Sequence, residues 1–307
     1  MVMLPDSSSY TPTILKESVP GTEPSKELSL LFLGCEANGP YGPYGHTARL
    51  FLDLIRRSIE ECTTHATTIR MTVYHASQGH LPDSIDDYQG VIIPGSFSSA
   101  CDTGTTWIQE LAQFVQTQLV PCQKPTLGIC FGHQLYAHSF PTGGAMKCPA
   151  GIQAGRKQFQ STDAGQRLLQ QANDVDLYYT HGDMVKTLPE CALSLGGNDQ
   201  VPIQSAVYFA TPQDAANFSN RALSSSPNSS RPMAITFQAH PEFASQPLGV
   251  EKTLHKILDG MEYRGDLSEQ DRLAAGKEAD ENYAKVERQS LNMMKTVCRL
   301  LGWVSAE

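Results

Sequence analysis

Cys130 stands in Gly128-Ile129-Cys130-Phe131-Gly132-His133-Gln134, directly after Pro125-Thr126-Leu127. A strand that turns abruptly into a helix holds its corner residue in a strained backbone conformation. Glycines two before and two after that corner remove the side chains that would collide there. The thiol then stands at a helix N-terminus, where unpaired backbone N–H groups and the positive end of the helix dipole stabilise negative charge on sulfur. The chemistry on offer is nucleophilic attack on a carbonyl carbon through a covalent intermediate. The alternative for the same seven residues is a buried cysteine between two packing glycines.

A second segment, 110 residues further on, supplies what a thiol nucleophile needs: Ala234-Ile235-Thr236-Phe237-Gln238-Ala239-His240-Pro241-Glu242-Phe243. Histidine is the side chain suited both to take a proton from sulfur and to return it to a leaving group near neutral pH. Its ring must be held in one tautomer by an acceptor, and Glu242 lies two residues away across a proline. Pro241 restricts the backbone after an apolar strand, which places His240 at a strand end with the carboxylate folded back toward it. Taken alone, His-Pro-Glu is equally a surface turn.

The elements that must position these groups follow from the apolar pattern. Leu28 to Leu33 reads as a first buried strand and Gly34 to Gly45 as a Gly/Pro/Tyr-rich loop. Leu50, Phe51, Leu54 and Ile55 have helical spacing within 47–62. Strands are expected over 68–74, 88–93 and 126–129, with a helix over 106–119. Strands alternating with helices imply a largely parallel, doubly covered sheet, whose sites gather outside the carboxyl ends of the strands. In the second half, 151–159, 177–179, 192–195, 204–209 and 233–238 read as short strands of an antiparallel extension leading back to the strand that carries His240. The Ser/Asn/Pro-rich stretch 211–232 reads as a long surface loop. Its sequons at Asn217 and Asn228 are taken as ordinary loop residues.

Other segments complete the pattern: Gly90-Val91-Ile92-Ile93-Pro94-Gly95-Ser96, Cys101-Asp102, Trp107-Ile108, Gly143-Gly144, Ala150-Gly151 and Thr180-His181-Gly182-Asp183-Met184-Val185. Each is weak by itself, but their order and spacing across residues 29–260 form a specific set. By that set the chain resembles class I glutamine amidotransferase domains of the Cys-His-Glu type. It is most similar to free-standing members related to the amidotransferase half of GMP synthetase and to plant γ-glutamyl peptidases.

The resemblance implies a flavodoxin-like α/β domain and a triad of Cys130, His240 and Glu242. It further implies an oxyanion hole made by the backbone N–H groups of Gly95 and Phe131, where fixed dipoles are worth about 3 kcal/mol per donor. Gln134, Thr180 and His181 map onto positions that hold the amino and carboxylate ends of glutamine. For His181 a second role, capping Asp183 or packing, is as well supported, and His133 is expected to pack rather than act as a base. The chain departs from synthetase-linked relatives at Ser96, where a second glycine is common, and from near relatives at Ala100-Cys101, where Val-Tyr is found. The second departure would widen the mouth of the site.

The activity implied is hydrolysis of the γ-glutamyl amide of glutamine through a γ-glutamyl thioester, with neither metal nor organic cofactor. The fate of the nitrogen stays open, because the sequence contains no phosphate loop of the Gly-x-x-x-x-Gly-Lys-Ser/Thr type with which to activate an acceptor. One reading is a glutaminase that passes ammonia to a separate synthetase or acceptor protein. A second is a γ-glutamyl peptide or conjugate hydrolase or transferase acting without a partner. A third is a redirected tailoring enzyme or a non-catalytic binding module on the same scaffold.

Composition bounds these readings. The 307 residues suffice for one large α/β core. A net charge of −9 and a pI near 5.5 argue against nucleic acid or an anionic membrane as partner. No apolar stretch approaches a membrane span and the N-terminus lacks the order of a signal peptide. Eight cysteines without a Cys-x-x-Cys pair point to reduced thiols and a cytoplasmic location. The expected organisation is a disordered leader over 1–28, a catalytic domain over 29–260 and a helical C-terminal extension over 261–307. Within that extension an early break is expected at Ala274-Ala275-Gly276, followed by a helix packed back on the domain.

Overall fold

Leu28 to Leu33 is a run of apolar residues with no polar position beyond Ser29, and such a run is stable only where both faces of a strand are covered. The computed structural model, which describes residues 10–36, 44–102, 104–169, 175–219, 231–246 and 248–304, places this run inside a ten-stranded sheet, on the third strand from one edge. In chain order the first half contributes β1 (Thr13–Val19), β2 (Glu23–Leu33), α1 (Tyr44–Glu60), β3 (His65–Tyr74), β4 (Gly90–Ile93), α2 (Thr106–Phe114), β5 (Thr126–Ile129) and α3 (Phe131–His138). The second half contributes β6 (Gly144–Lys147), β7 (Gln153–Ser161), α4 (Asp163–Leu169), β8 (Val175–His181), β9 (Asp183–Thr187), β10 (Ala192–Gly197), β11 (Ser205–Tyr208), α5 (Pro212–Ser219) and β12 (Ala234–Phe237). Three helices end the chain: α6 (His255–Tyr263), α7 (Glu269–Glu281) and α8 (Tyr283–Leu300).

The sheet runs β1-β3-β2-β4-β5-β12-β11-β10-β7-β8. Its middle, from β3 to β12, is parallel. The extension from β12 to β8 is antiparallel, and β6 pairs with β9 in a separate two-stranded ribbon. This is the expected α/β architecture with its antiparallel extension. The pleat sorts the core into two layers. Leu30 and Phe32 of β2 pack with Phe51, Leu54 and Ile55 of α1 and with Met293, Met294 and Val297 of α8. Leu31 and Leu33, pointing the other way, pack with Ile108 and Leu111 of α2 and with Phe131 and Leu135 of α3. The helical spacing in 47–62 is therefore the buried stripe of α1, with every member of Leu50, Phe51, Leu54 and Ile55 buried.

The structure corrects four expectations. Residues 10–28 are not an unstructured leader: β1 lies antiparallel on β3, from Thr13↔Val73 to Val19↔Thr67, and β2 already begins at Glu23. Pro12 and Pro20 flank an edge strand, where a missing N–H costs nothing. Only Leu15 and Val19 of β1 are buried, so its apolar signal is faint. The stretch expected as a loop over 211–232 opens with α5, whose Thr211 hydroxyl accepts from the Asp214 amide at 3.1 Å, as an N-cap does. The helix over 106–119 changes to π geometry over Val115–Leu119. Finally, Ala274-Ala275-Gly276 lies inside α7, and the break falls at Asn282. Alanine is the strongest helix former, and two of them carry the helix through a single glycine. Residues 1–9, most of the loop at 37–43 and the sequon at Asn228 lie outside the described residues.

Strand register brings the chemistry together. Ile93 is level with Gly128, and Phe237 with Ile129. The carboxyl ends of β4, β5 and β12 are thus adjacent, and the chain leaves them as Pro94-Gly95, Cys130 and Gln238-Ala239-His240.

Candidate active site

At the end of β5 the backbone of Cys130 has φ 51° and ψ −103°, one of two positive-φ values found at non-glycine residues among those described. Such a conformation costs an L-residue about 1–3 kcal/mol and persists only where its surroundings enforce it. Here the Cys130 N–H is tied to the Phe237 carbonyl at 2.7 Å, and the Gly132 N–H to the Pro94 carbonyl at 3.2 Å. The turn is so tight that a Cβ on Gly132 would lie 2.0 Å from the Ile93 oxygen, and one on Gly128 would lie 2.8 Å from the Thr236 methyl. The glycine spacing in the sequence is therefore required by contact with the two neighbouring strands.

His240 leaves β12 and is completely buried. Its backbone N–H is bound to the Tyr178 carbonyl of β8 at 2.8 Å, and the Pro241–Ala244 3₁₀ turn folds Glu242 back against it. Nδ1 donates to Glu242 Oε1 at 2.7 Å, which leaves Nε2 to face Cys130 and the Thr180 hydroxyl, the latter at 3.1 Å. Burial alone would drive the ring to its neutral form. The Glu242 carboxylate and the Cys130 sulfur, which also reaches the ring as a hydrogen-bond partner, outweigh burial and raise its pKa to about 10. Phe243 lies flat against the imidazole, ring centroids 4.3 Å apart and 2° from parallel. The second carboxylate oxygen of Glu242 is buried with no hydrogen-bond partner among the described residues.

Cys130 opens into a cleft of about 330 Å³ that it shares with Ser96–Ser99, Gln134, Thr180–Asp183 and Lys147. The residues expected to hold a substrate are all on this cleft, but with altered parts. Thr180 serves the imidazole through its side chain. Gln134 spends its amide nitrogen on the Asp183 carbonyl at 2.8 Å and on Gln238 Oε1 at 3.1 Å, so it offers the cleft an acceptor. His181 donates from Nδ1 to the Asp183 carbonyl at 2.8 Å, and burial pushes its pKa down to about 3. Its Nε2 is thus a neutral acceptor, buried and without a partner among the described residues. Of the two roles weighed for His181, the hydrogen bond shows the bracing one: the ring holds the Asp183 backbone. His133 is a packing residue, bound to Thr236 Oγ1 at 2.7 Å and to the Ile203 carbonyl at 3.2 Å, with burial lowering its pKa to about 4.

Gly95 and Phe131 do not line the cleft. Phe131 is buried and Gly95 borders a small void with Cys35 and Glu36. Their N–H groups have no protein acceptor among the described residues, although both flank the elbow. Ser96, the departure from glycine, is anchored: its hydroxyl donates to the Cys35 carbonyl at 2.9 Å and lies 3.2 Å from Glu36 Oε2, which also accepts from the Phe97 N–H at 3.2 Å. The sequence does not show this clip, the Phe243 stack, or the partners of the Asp183 carboxylate, which accepts from Ser99 and pairs with Lys147 at 2.9 Å. The clip and the Asp183 contacts join residues 36 or more positions apart, which no local pattern marks, and the Phe243 stack, three residues from His240, depends on the 3₁₀ turn between them. Among the described residues no group of three or more His, Cys, Asp or Glu is placed to hold a metal ion, and no helix is long and apolar enough to cross a membrane.

Comparison with known proteins agrees with this fold. The family model for glutamine amidotransferase class-I matches residues 50–259. A Saccharomyces cerevisiae protein named as a candidate glutamine amidotransferase is 26% identical over 227 residues, covering 72% of this chain and 80% of the relative. γ-Glutamyl peptidase 5 of Arabidopsis thaliana is 29% identical over 143 residues, 44% of this chain and 56% of the peptidase. A glutamine amidotransferase structure from Thermotoga maritima shares the fold with a TM-score of 0.61 at 14% identity, covering 89% of this chain and 98% of that one.

Proposed function

Because this chain belongs to the class I glutamine amidotransferase family, we propose that it hydrolyses γ-glutamyl amides through a thioester on Cys130. The observation that carries this reading is the convergence of three groups from separate strands: a sulfur at a strained corner, an imidazole against it, and a buried carboxylate 2.7 Å from the far ring nitrogen.

In the proposed reaction Cys130 Sγ, its proton held by His240, attacks the γ-carboxamide carbon. By the family resemblance the oxyanion is assigned to the N–H groups of Gly95 and Phe131, which flank the elbow and have no protein acceptor among the described residues. The C–N bond breaks as His240 delivers a proton to the departing nitrogen, and a γ-glutamyl thioester remains. Water, deprotonated by the same ring, then releases glutamate and regenerates the thiol. Glu242 keeps the proton on Nδ1 throughout, so that Nε2 performs both transfers. Gln134 Oε1 is the acceptor offered to the substrate ammonium group, Asp183 adds negative charge beside it, and His181 braces the Asp183 backbone from behind. None of the eight cysteines is in a disulfide, which suits a reducing cytoplasm.

Two substrates fit the scheme. With free glutamine the product nitrogen is ammonia, passed to a separate synthetase or acceptor. With a γ-glutamyl peptide or conjugate the leaving amine is larger. The volume of the cleft, about 330 Å³, favours that second case. Incubation of the purified chain with glutamine and with γ-glutamyl peptides, following ammonia and glutamate, separates them. Peptide cleavage by the chain alone is the expected result, and glutamine turnover that needs an added partner would support the first case. Turnover that persists in Cys130→Ala would end the thioester reading for both.

A further inference from the structure

The family match stops at residue 259, but the wall of the cleft continues past it. Met261, Arg264 and Asp266, from the last turn of α6 and the link to α7, border the same space as Cys130. The C-terminal helical extension therefore contributes to the cleft itself, in a stretch that the family model does not describe.

Arg264 is fixed there. Its Nε donates to Asp266 Oδ2 at 2.9 Å, and its guanidinium lies over the Phe97 ring, 5.2 Å from the centroid. Asp266 engages one of five N–H groups, and the two terminal nitrogens have no acceptor among the described residues. A guanidinium held in this way presents the edge whose parallel N–H groups match the two oxygens of a carboxylate. Phe97 is 40% exposed beside it, an apolar surface next to a cationic one. Lys147 brings a second cation to the same space, paired on its inner side with Asp183. Ammonia has neither a carboxylate nor an apolar stem for such a surface to hold.

Resting on the thioester reading above, we infer that Arg264 is a specificity-determining residue for the leaving group, receiving the carboxylate of a departing amine that is an amino acid or a peptide. The bond chemistry is unchanged: the C–N bond breaks, and the nitrogen leaves as an amine with the proton from His240. Arg264 holds the far end of that amine, and its selectivity acts on the choice of substrate.

γ-Glutamylglycine and γ-glutamylglycinamide differ only in whether the leaving group carries a carboxylate. Binding to the full chain carrying Cys130→Ala, and turnover by the unaltered chain, are both expected to favour the acid by about tenfold or more, as a charge-assisted pair at a half-exposed site allows. Adding Arg264→Ala is expected to bring the acid-to-amide ratio within about twofold of one, and Arg264→Lys to leave an intermediate preference, because lysine keeps the charge without the fork. Equal binding of acid and amide before the change, a preference that survives Arg264→Ala, or an equal loss of both compounds would each overturn the inference. The binding arm contains no thiol. Turnover that persists in Cys130→Ala would therefore remove the thioester while leaving the acid-to-amide ratio to decide the role of Arg264.

Discussion

Thr180 Oγ1 lies 3.1 Å from Nε2 of His240, so the ring nitrogen that serves Cys130 already has a hydroxyl for company. The hydroxyl can donate to the neutral ring or accept from the protonated one, and it holds the imidazole in place through both proton transfers. A hydrogen bond to a charged partner is worth about 1.5–3 kcal/mol. Thr180→Val, which keeps the shape and removes the oxygen, is expected to lower kcat about tenfold or more with a smaller effect on KM. Thr180→Ser should restore most of it. Steady-state kinetics of the three chains checks the role, and an unchanged kcat in the valine variant would remove it.

The buried histidines make stability depend on pH in two opposite directions. His240 has its pKa raised to about 10 in the folded chain, against an ordinary value near 6.5, so its contribution is complete below pH 6.5 and is lost as pH rises through 10. His133 and His181 are lowered to about 4 and about 3, because burial opposes their charging. Their contribution is complete above pH 6.5 and is lost as pH falls through those values. Urea midpoints measured across pH should therefore pass through a maximum near neutrality, each limb sloping by up to about 1.4 kcal/mol per pH unit for each proton taken up or released. His240→Gln should flatten the alkaline limb and His181→Gln the acid one. The reverse assignment would contradict the ring environments described.

Glu36 holds the loop that carries Gly95 by accepting from Ser96 and Phe97. If that loop supplies an oxyanion donor, Glu36→Ala should reduce kcat by about tenfold, since a displacement near 1 Å of a positioned group can cost up to a hundredfold. Alkylation of Cys130 by iodoacetamide, which needs no oxyanion hole, should proceed at an unaltered rate. Glu36→Gln, which retains an acceptor, should recover activity. A parallel fall in alkylation and turnover would show general damage instead of lost positioning.

Gly132 meets the Ile93 backbone where a side chain would begin, only 2.0 Å from its oxygen. Gly132→Ala must push β4 and the start of α3 apart, at a cost of about 3 kcal/mol or more for overpacking against an unyielding backbone. The expected result is a markedly lower urea midpoint together with loss of turnover. A variant that folds with an unchanged midpoint would mean that the corner is looser than its contacts indicate.

Much of the fold and of the site is legible in the sequence. The fully buried parallel strands announce themselves as mostly apolar runs at 28–33, 90–93 and 126–129, because strands covered on both faces admit few polar residues, here Ser29 and Thr126. The elbow was visible because one strained corner imposes two glycines at fixed offsets, and His240-Pro241-Glu242 because its hydrogen bond spans two residues. Edge strand β1 escaped notice, since with two buried side chains it has almost no hydrophobic signature.

What the sequence determined by itself is local chemistry: which residues can act as nucleophile, base and orienter, and which segments must be buried. Tertiary structure alone decided who meets whom. Strand register set the Pro94 turn, Cys130 and His240 side by side. Pairing of β7 with β8 carried Thr180 and His181 to the same opening, and folding back of the C-terminal helices brought Arg264 over Phe97, 167 positions away. Contacts of that kind are satisfied by geometry between distant segments. They place no periodic demand on the residues around them, and so leave no trace in the sequence on either side.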